Sequence, residues 1–443
     1  MKSLKKWLIG SGIFILFLCS LLLLVLCFTR IETSVHGVHT RLLVPTGTDA
    51  VIGIHMYAGT ADQEVIPGFL DGPVIRRQPG GQWDAAWFCE DRVVRRQGNT
   101  PSLEIACSGQ QTSYPILPAG PATPDVFAIP RKMLVLSDIE GNAKFLDAAL
   151  RELGVMSVNG EWTYGTDALV IAGDMVDRGR DVFPVLWRLY ALSVQAQGAG
   201  GAVHLVLGNH EQYMLQGNLS RAHREHIYAL EQLGGQVAAF APETILGHWL
   251  RQQPVVIQAG DILVTHAGIS PEVAAAGLSV TQLNAAMRRY WRGESASKFE
   301  LDAVIGRAGV SQYRGYFEPH DGLYAQAGDK DVAAVLTRFG ARAVVVGHTQ
   351  VERITHLYGG RVVAVNVNSD DAASQALLFD RGVALAIPLQ TRRDLGARDV
   401  RSRSLHLTRS EDWRTLGRFL QRSYELSQLP FPYAANTRPL SGN

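Results

Sequence analysis

Six short segments of the chain carry carboxylate, amide and imidazole side chains of the kind that bind metal ions. They are Asp138–Asn142, Gly173–Gly179, Gly208–Glu211, Thr265–Gly268, Tyr313–Gly315 and Gly347–Thr349. Most of them follow a run of aliphatic residues, and the loops at strand ends converge in open α/β sheets. Mixed oxygen and imidazole ligation suits Mn²⁺, Fe or Zn²⁺ better than Ca²⁺. The pattern therefore predicts a metal site.

Five polar positions carry this prediction because they share one placement. Each stands two residues after an apolar run: Asp138, Asp174, Asn209, His266 and His348. Any one of them has an ordinary structural explanation, since an Asp after a strand often caps a helix and a single buried His is usually structural. Five such positions in one order favour the metal site.

The series resembles the calcineurin-like metallophosphoesterases and, within them, the phosphoprotein phosphatases of bacterial type. Two blocks of that family are intact, Gly-Asp-Met-Val-Asp-Arg-Gly at 173–179 and Gly-Asn-His-Glu at 208–211. The segments around His266 and His348 match the two later histidines of the family, at similar intervals. The resemblance covers roughly residues 131–370 and leaves the first 120 residues unexplained.

The resemblance implies a site for two divalent metal ions, with Mn²⁺ first and Fe or Zn²⁺ as alternatives. Asp174 would bridge both ions. Asp138 and Glu140 would complete one site, and the other would be completed by Asn209, His266 and His348.

It also implies a mechanism. A hydroxide bridging the metals would attack phosphorus in line with the leaving oxygen. His210, oriented by Asp177, would protonate the leaving group. Arg178 would bind phosphate oxygens in a bidentate fork, and Arg314 falls where the family has its second phosphate-binding Arg.

Glu140 departs from the family pattern, which has a histidine at this position; Ser137 likewise replaces a glycine. A glutamate is a competent metal ligand, and a third carboxylate would favour oxygen-loving Mn²⁺. The alternative is a disabled site that only senses metal or phosphate.

Three functions follow from these residues. The first is a metallophosphatase for phosphomonoesters, with phosphoprotein Ser/Thr or Tyr as candidate substrates. The second is a dinucleoside-polyphosphate hydrolase with the same metal centre. The third is a non-catalytic binder, with Glu140 as the disabling change. A net charge of +1 and the lack of a long Lys/Arg run argue against nucleic-acid binding.

Hydrophobic patterns in the sequence predict the strands and helices that must position these residues. Apolar runs predict buried strands at Met133–Leu136, Ala168–Ala172, Val203–Leu207, Ile262–Val264, Ala343–Val346 and Val362–Val365. Helical patterns such as Ala143–Leu153 and Val182–Val194 lie between them, which indicates an α/β layout with a mainly parallel sheet core. The resemblance sharpens this to a four-layer α/β sandwich, preceded by a transmembrane helix and a small all-β domain.

We expect five segments along the chain. Residues 1–30 form a membrane anchor with a short cytoplasmic N-terminus, 31–120 a small β-rich domain, and 121–130 a proline-rich linker. Residues 131–390 form the metallophosphoesterase domain, and 391–443 a polar, arginine-rich tail with one helix.

Trp7–Phe28 is uncharged and rich in Leu, Ile, Val and Phe. As a helix it would span about 33 Å, enough to cross a bilayer. A cleaved signal peptide is the alternative, but the run ends without a small-residue cleavage site. Lysines at 2, 5 and 6 precede the span, which predicts a single-pass protein whose N-terminus is cytoplasmic and whose body is periplasmic or otherwise extracytoplasmic.

Cys89 and Cys107 lie in the predicted exported part. An oxidising compartment would allow them to pair, and two separate buried thiols are the equal alternative.

Overall fold

A computed structural model describes residues 2–34, 39–45, 51–57, 68–116, 124–317, 324–367, 374–393 and 400–427. The α-helices are α1 (Lys2–Phe28), α2 (Ala143–Glu152), α3 (Val182–Gly198), α4 (Asn209–Leu215), α5 (Arg224–Gln232), α6 (Gln236–Ala239), α7 (Ile245–Gln252), α8 (Pro271–Ala275), α9 (Val280–Trp291), α10 (Lys298–Ile305), α11 (Asp329–Phe339) and α12 (Ser410–Ser427).

The strands are β1 (Arg30–Ser34), β2 (His39–Pro45), β3 (Val51–Tyr57), β4 (Leu70–Arg77), β5 (Trp83–Cys89), β6 (Arg92–Gly98), β7 (Ser102–Cys107), β8 (Gln110–Pro115), β9 (Val126–Phe127), β10 (Lys132–Leu136), β11 (Ala168–Ile171), β12 (Ala202–Leu205), β13 (Val256–Ala259), β14 (Ile262–Thr265), β15 (Ala343–Val346), β16 (Thr355–Leu357), β17 (Val362–Ala364), β18 (Gln375–Asp380), β19 (Val383–Pro388) and β20 (Val400–Ser404). Each predicted strand of the α/β region coincides with one of these within a residue or two.

The described residues divide into two compact units. One contains those of 1–64, 218–220 and 397–443, and the other contains those of 65–217 and 221–396. The predicted domain 31–120 is shared between them, with β1–β3 in the first unit and β4–β8 in the second. Residues 121–123 of the predicted linker and 394–399 and 428–443 of the predicted tail lie outside the described residues. The domain boundaries remain a prediction.

The first unit joins α1 to a four-stranded sheet of order β20-β1-β2-β3. Ile31, Leu42 and Leu405 form its small apolar cluster, against which Leu26 and Leu416 pack. In α1 the stretch Gly10–Phe28 has a mean hydropathy of 2.8 and exposes its apolar side chains. A membrane span has this length and composition, and so does an N-terminal signal sequence.

The second unit is built on two sheets that share one apolar core, with strand orders β12-β11-β10-β18-β19 and β16-β17-β15-β14-β13-β9. Val135 and Val170 from the first sheet belong to the same buried cluster as Val264 and Val345 from the second. Both residues of each pair are fully buried, as expected of strands covered on both faces.

Both sheets have the parallel core that the apolar runs predicted, and both also contain antiparallel strands that those runs did not predict. β10, β11 and β12 pair in parallel, as do β14, β15 and β17. However, β13–β14 and β18–β19 are antiparallel hairpins. Each hairpin is closed by two residues, Gly260-Asp261 and Arg381-Gly382, and so short a loop can join only antiparallel neighbours.

Strands β4–β8 form a three-stranded sheet and a separate hairpin. A disulfide between Cys89 and Cys107 joins the two. Trp187 of α3 donates its indole N–H to the carbonyl of Pro73 at 3.0 Å, and Tyr114 packs edge-on against the same ring. Asp71 accepts a hydrogen bond from His226 of α5 at 2.6 Å, with both side chains buried. These strands therefore pack on the helices of the second unit.

Candidate active site

The candidate site lies where β10, β11, β14 and β15 end. Asp138 follows β10, Asp174 follows β11, His266 follows β14 and His348 follows β15. The loops after β10 and β11 are joined by the backbone, because Asp138 N–H donates to Gly173 O and Glu140 N–H donates to Asp174 O, both at 2.9 Å. Parallel pairing of these strands thus brings the polar residues to one edge.

The loop backbones are unusual, since six of the predicted site residues have a positive φ. They are Asp138, Glu140, Asp174, Asp177, Arg178 and His348, with φ between 52° and 68°. Non-glycine residues rarely adopt this conformation, and residues that do are concentrated at functional sites.

His266 is the centre of a cluster of metal-type donors. Its Nδ1 donates to the carbonyl of Ala172 at 2.9 Å, which leaves Nε2 as the ligand nitrogen. Nε2 lies 3.0 Å from Asn209 Oδ1, 3.0 Å from His348 Nδ1 and 3.1 Å from Asp174 Oδ2. Lone-pair atoms at such separations are typical of the ligands around one cation. The donor set therefore fits a divalent metal.

Charges within the cluster support the same interpretation. Burial would raise the pKa of Asp174, but His210 and His266 outweigh it and hold that pKa well below the usual range. Burial lowers the pKa of His266, yet Asp174 raises it to about 9. Burial, then Arg314 and His266, lower the pKa of His348 well below its ordinary value. Near neutral pH Asp174 is thus charged and His348 neutral, as metal ligation requires, whereas His266 holds a proton on Nε2 that a bound metal would displace.

Asp138 is joined to this cluster through its carboxylate. Its Oδ2 accepts from the backbone N–H of His348 at 3.2 Å and from the Ser137 hydroxyl, and its Oδ1 accepts from Asn366 Nδ2 at 2.9 Å. Burial, opposed by His266, raises the pKa of Asp138 to about 6, and the Asp174 carboxylate adds to the rise.

Glu140 lies in the same loop, and its buried carboxylate forms an ion pair with Arg178, Oε1 to Nε at 3.2 Å. The Arg178 side chain is 45% exposed, so its guanidinium reaches the solvent side of the site. Gly141 must remain a glycine here, because its φ is +65° and a Cβ would collide with the backbone of Gly179.

His210 is held by two carboxylates. Its Nδ1 is 2.9 Å from Asp177 Oδ2, and its Nε2 is 3.7 Å from Asp174 Oδ2. Burial would lower the pKa of His210, but Asp174 and Asp177 outweigh it and raise the pKa above the ordinary value. The imidazole is therefore positioned to carry a proton.

Arg314 follows α10, and its guanidinium lies 3.5 Å from the Thr349 hydroxyl beside His348. Burial lowers the pKa of Arg314, while the carboxylates of Asp174 and Asp138 oppose this. All ten predicted site residues thus lie around this edge. A group of three with mutually close ligand atoms consists of Asp174, His266 and His348.

Three further residues support the site, and sequence reasoning assigned them no role. The buried Glu211 carboxylate accepts from four backbone N–H groups, those of Asp174, Met175, Val176 and Gly208, at 2.7–3.2 Å. Asn366 follows β17, as the other polar residues follow their strands, so the same signal would have found it. Arg393 donates to the carbonyls of Ser137 and Asp138, and nothing in its sequence context marks it.

Comparison with known proteins gives the family. The family profile described as calcineurin-like phosphoesterase matches residues 131–352, half of the chain. The chain belongs to this family. It is therefore a hydrolase of phosphoester bonds, in a family whose members bind divalent metals.

Three relatives are informative. A crystal structure of the cold-active protein-tyrosine phosphatase of a psychrophilic Shewanella superposes with a TM-score of 0.64 at 28% identity, over 72% of this chain and 99% of that one. Shewanella-like protein phosphatase 2 of Arabidopsis thaliana is 22% identical over 63% of this chain and 80% of its own length. A symmetrical bis(5'-nucleosyl)-tetraphosphatase of Vibrio cholerae is 32% identical over 31% of this phosphoesterase and 45% of its own length.

Proposed function

We propose that this phosphoesterase is a phosphatase with two divalent metal ions that hydrolyses phosphomonoesters, with phosphoproteins as its substrates. The proposal rests on the residues around Asp174. The imidazoles of His266 and His348 lie close to its carboxylate, and His210, oriented by Asp177, lies beside it. The likeness to a protein-tyrosine phosphatase over 99% of that chain favours phosphotyrosine, with phosphoserine and phosphothreonine as alternatives.

The residues divide between the two ions as follows. Asp174 would bridge them, Asp138 and Glu140 would complete one site, and the remaining ligands would be Asn209, His266 and His348. Bound ions would neutralise phosphate charge and lower the pKa of a coordinated water. Three carboxylates favour Mn²⁺, with Fe or Zn²⁺ as alternatives.

His210 would act as the general acid. Its Nδ1 is bound to Asp177, so Nε2 is the nitrogen that can donate a proton to the leaving oxygen. The raised pKa favours the protonated ring, which is the form that a general acid needs.

Arg178 and Arg314 would bind the phosphate. Arg178 now pairs with Glu140, and its exposed guanidinium would exchange that carboxylate for phosphate oxygens. The planar guanidinium of an arginine can bind two phosphate oxygens at once, whereas the ammonium of a lysine cannot.

Turnover of p-nitrophenyl phosphate by the full-length protein in detergent, with Mn²⁺, tests the proposal. Asp174→Asn and His210→Ala should lower kcat by at least 10²-fold. His248→Ala is the matched control, because His248 is exposed on α7. Absence of turnover with any divalent metal, or full turnover in Asp174→Asn, contradicts the proposal.

A dinucleoside-polyphosphate hydrolase is the second candidate, because the tetraphosphatase is 32% identical over 139 residues. Phosphotyrosine peptide, phosphoserine peptide and diadenosine tetraphosphate should be compared by kcat/KM. A preference for the tetraphosphate would replace the phosphoprotein assignment.

The location is also a proposal. We infer that α1 is an uncleaved single-pass anchor and that the catalytic unit lies outside the cytoplasm. The lysines at 2, 5 and 6 support this orientation, because positive residues stay on the cytoplasmic side.

A further inference from the structure

Arg393 is a buried cation directly behind the first metal-ligand loop. It follows β19 in sequence and is 7% exposed. One guanidinium nitrogen donates to Ser137 O at 2.6 Å and the other donates to Asp138 O. The group lies over the ring of Phe145 in α2, 4.4 Å from its centroid. Arg393 thus binds two successive carbonyls while its guanidinium packs on the ring of Phe145.

These two hydrogen bonds act on a loop that needs support. Asp138 has a φ of 52° and Glu140 a φ of 55°, a conformation that costs about 1 kcal/mol or more for each residue. Both carbonyls must face the same side to share one guanidinium, which fixes the peptide planes next to the Asp138 carboxylate.

Arg393 also brings a positive charge to the loop that carries the carboxylates of Asp138 and Glu140. Burial lowers the pKa of Arg393, and the carboxylates of Glu140 and Asp138 oppose this. The guanidinium forms no direct bond to a carboxylate among the contacts of the described residues, so its charge acts on the loop as a whole. Glu140 adds a negative charge at a position where the pattern of the phosphoprotein phosphatases has a histidine. Arg178 offsets it in this structure, but Arg178 is also the proposed phosphate ligand.

We propose that Arg393 is a positioning residue that holds the Asp138 loop in place and offsets the charge that Glu140 adds to the metal site. The part concerning metal rests on the proposed function. The part concerning charge stands on geometry: the buried Arg393 guanidinium binds the carbonyls of Ser137 and Asp138, and the buried Glu140 is two residues further along the same loop.

A double-mutant cycle between Arg393→Gln and Glu140→Gln tests both parts, with full-length protein in detergent. Mn²⁺ affinity is measured by titration calorimetry, together with kcat and KM for p-nitrophenyl phosphate. Arg393→Gln should weaken Mn²⁺ binding by about 10–100-fold, as removal of groups that orient metal ligands does, and should lower kcat more than it changes KM. Arg393→Lys should not restore the wild-type values, because an ammonium cannot fork onto two carbonyls. Arg392→Gln, at the exposed neighbouring position, should match the wild type.

The same cycle is measured without metal, as urea midpoints in EDTA. Arg393→Gln should lower the midpoint more when Glu140 is present than in the Glu140→Gln background. Equal shifts in both backgrounds overturn the charge role even if the protein binds no metal. Unchanged Mn²⁺ affinity and kcat in folded Arg393→Gln, beside an active wild type, overturn the positioning role. A wild type without Mn²⁺ binding contradicts the proposed function instead.

Discussion

At the scale of single residues, hydrogen bonds determine which ring nitrogen of His266 and of His210 carries the proton. The Ala172 carbonyl selects the tautomer of His266, and Asp177 selects that of His210. Sequence reasoning found these residues because each stands in a motif. It could not find Arg393, which reaches the Asp138 loop from a position 255 residues away in the chain. Such a contact depends on packing, which no local pattern encodes.

Asp177→Asn should lower kcat about 10²-fold and leave KM nearly unchanged. The Asp177 carboxylate accepts from Nδ1 and stabilises the doubly protonated ring of His210, the proposed general acid. An amide carries no charge to do this, so the ring would stay neutral and would be a much weaker acid at Nε2. Steady-state kinetics with added Mn²⁺ measures this. Asp302→Asn is the control, since Asp302 is exposed on α10. A variant with wild-type kcat would remove Asp177 from the mechanism.

Glu140→His restores the residue type that the resembling family carries. If Glu140 is a ligand, the change should shift the preferred metal from Mn²⁺ toward Zn²⁺, because an imidazole replaces a carboxylate oxygen. Metal content and turnover with each ion measure the shift. Identical metal preference in both proteins would mean that Glu140 is not a metal ligand.

At the scale of secondary structure, the strands were predictable and their pairing was only partly so. Apolar runs marked every strand that carries a site residue. The antiparallel hairpins were not predicted, although each is joined by a two-residue turn that contains a glycine, Gly260-Asp261 and Arg381-Gly382. The pairing of β1 with β20 was not readable, because it joins residues about 370 positions apart without any local signal.

His204 on β12 should make the protein sensitive to acid. Its ring stacks on Phe127 at 4.1 Å, its Nδ1 has no hydrogen-bond partner among the described residues, and burial lowers its pKa from 6.5 to about 4. The folded state therefore binds fewer protons than the unfolded state, and stability is lost as the pH falls from 6.5 toward 4.

His204→Phe should remove this loss and keep the stacking. Between pH 7 and pH 5 the decrease in unfolding free energy should be smaller by about 2 kcal/mol than in the wild type. Urea unfolding at both pH values measures it, with exposed His248→Phe as the control. An equal pH dependence in His204→Phe and the wild type would contradict the assignment.

The Cys89–Cys107 disulfide should stabilise the strands that pack on α3 and α5. Closing a loop of this length contributes about 3 kcal/mol by the chain-entropy model. The double variant Cys89→Ala/Cys107→Ala should therefore unfold at lower urea concentration. Adding reductant should lower the midpoint of the wild type and leave that of the variant unchanged. A variant as stable as the oxidised wild type would show that packing alone holds these strands.

At the scale of the whole molecule, the chain combines a phosphoesterase with an apolar N-terminal helix. The full-length protein should stay with membranes during alkaline carbonate extraction and should retain its first residues on mass analysis. Deletion of residues 2–28 should release it. A mature chain that lacks these residues would indicate a signal peptide. Replacing the lysines at 2, 5 and 6 with Gln should reduce the fraction of correctly oriented protein, measured by protease accessibility.

The left-handed backbone of the active-site loops sets a limit for protein engineering. Six non-glycine residues, from Asp138 to His348, hold a conformation that glycine or asparagine adopts at lower cost. Selection for heat resistance alone would accordingly enrich glycine and asparagine at these six positions, and each such gain would discard a side chain of the proposed active site. Directed evolution of a more robust enzyme should therefore select for turnover and thermal tolerance together.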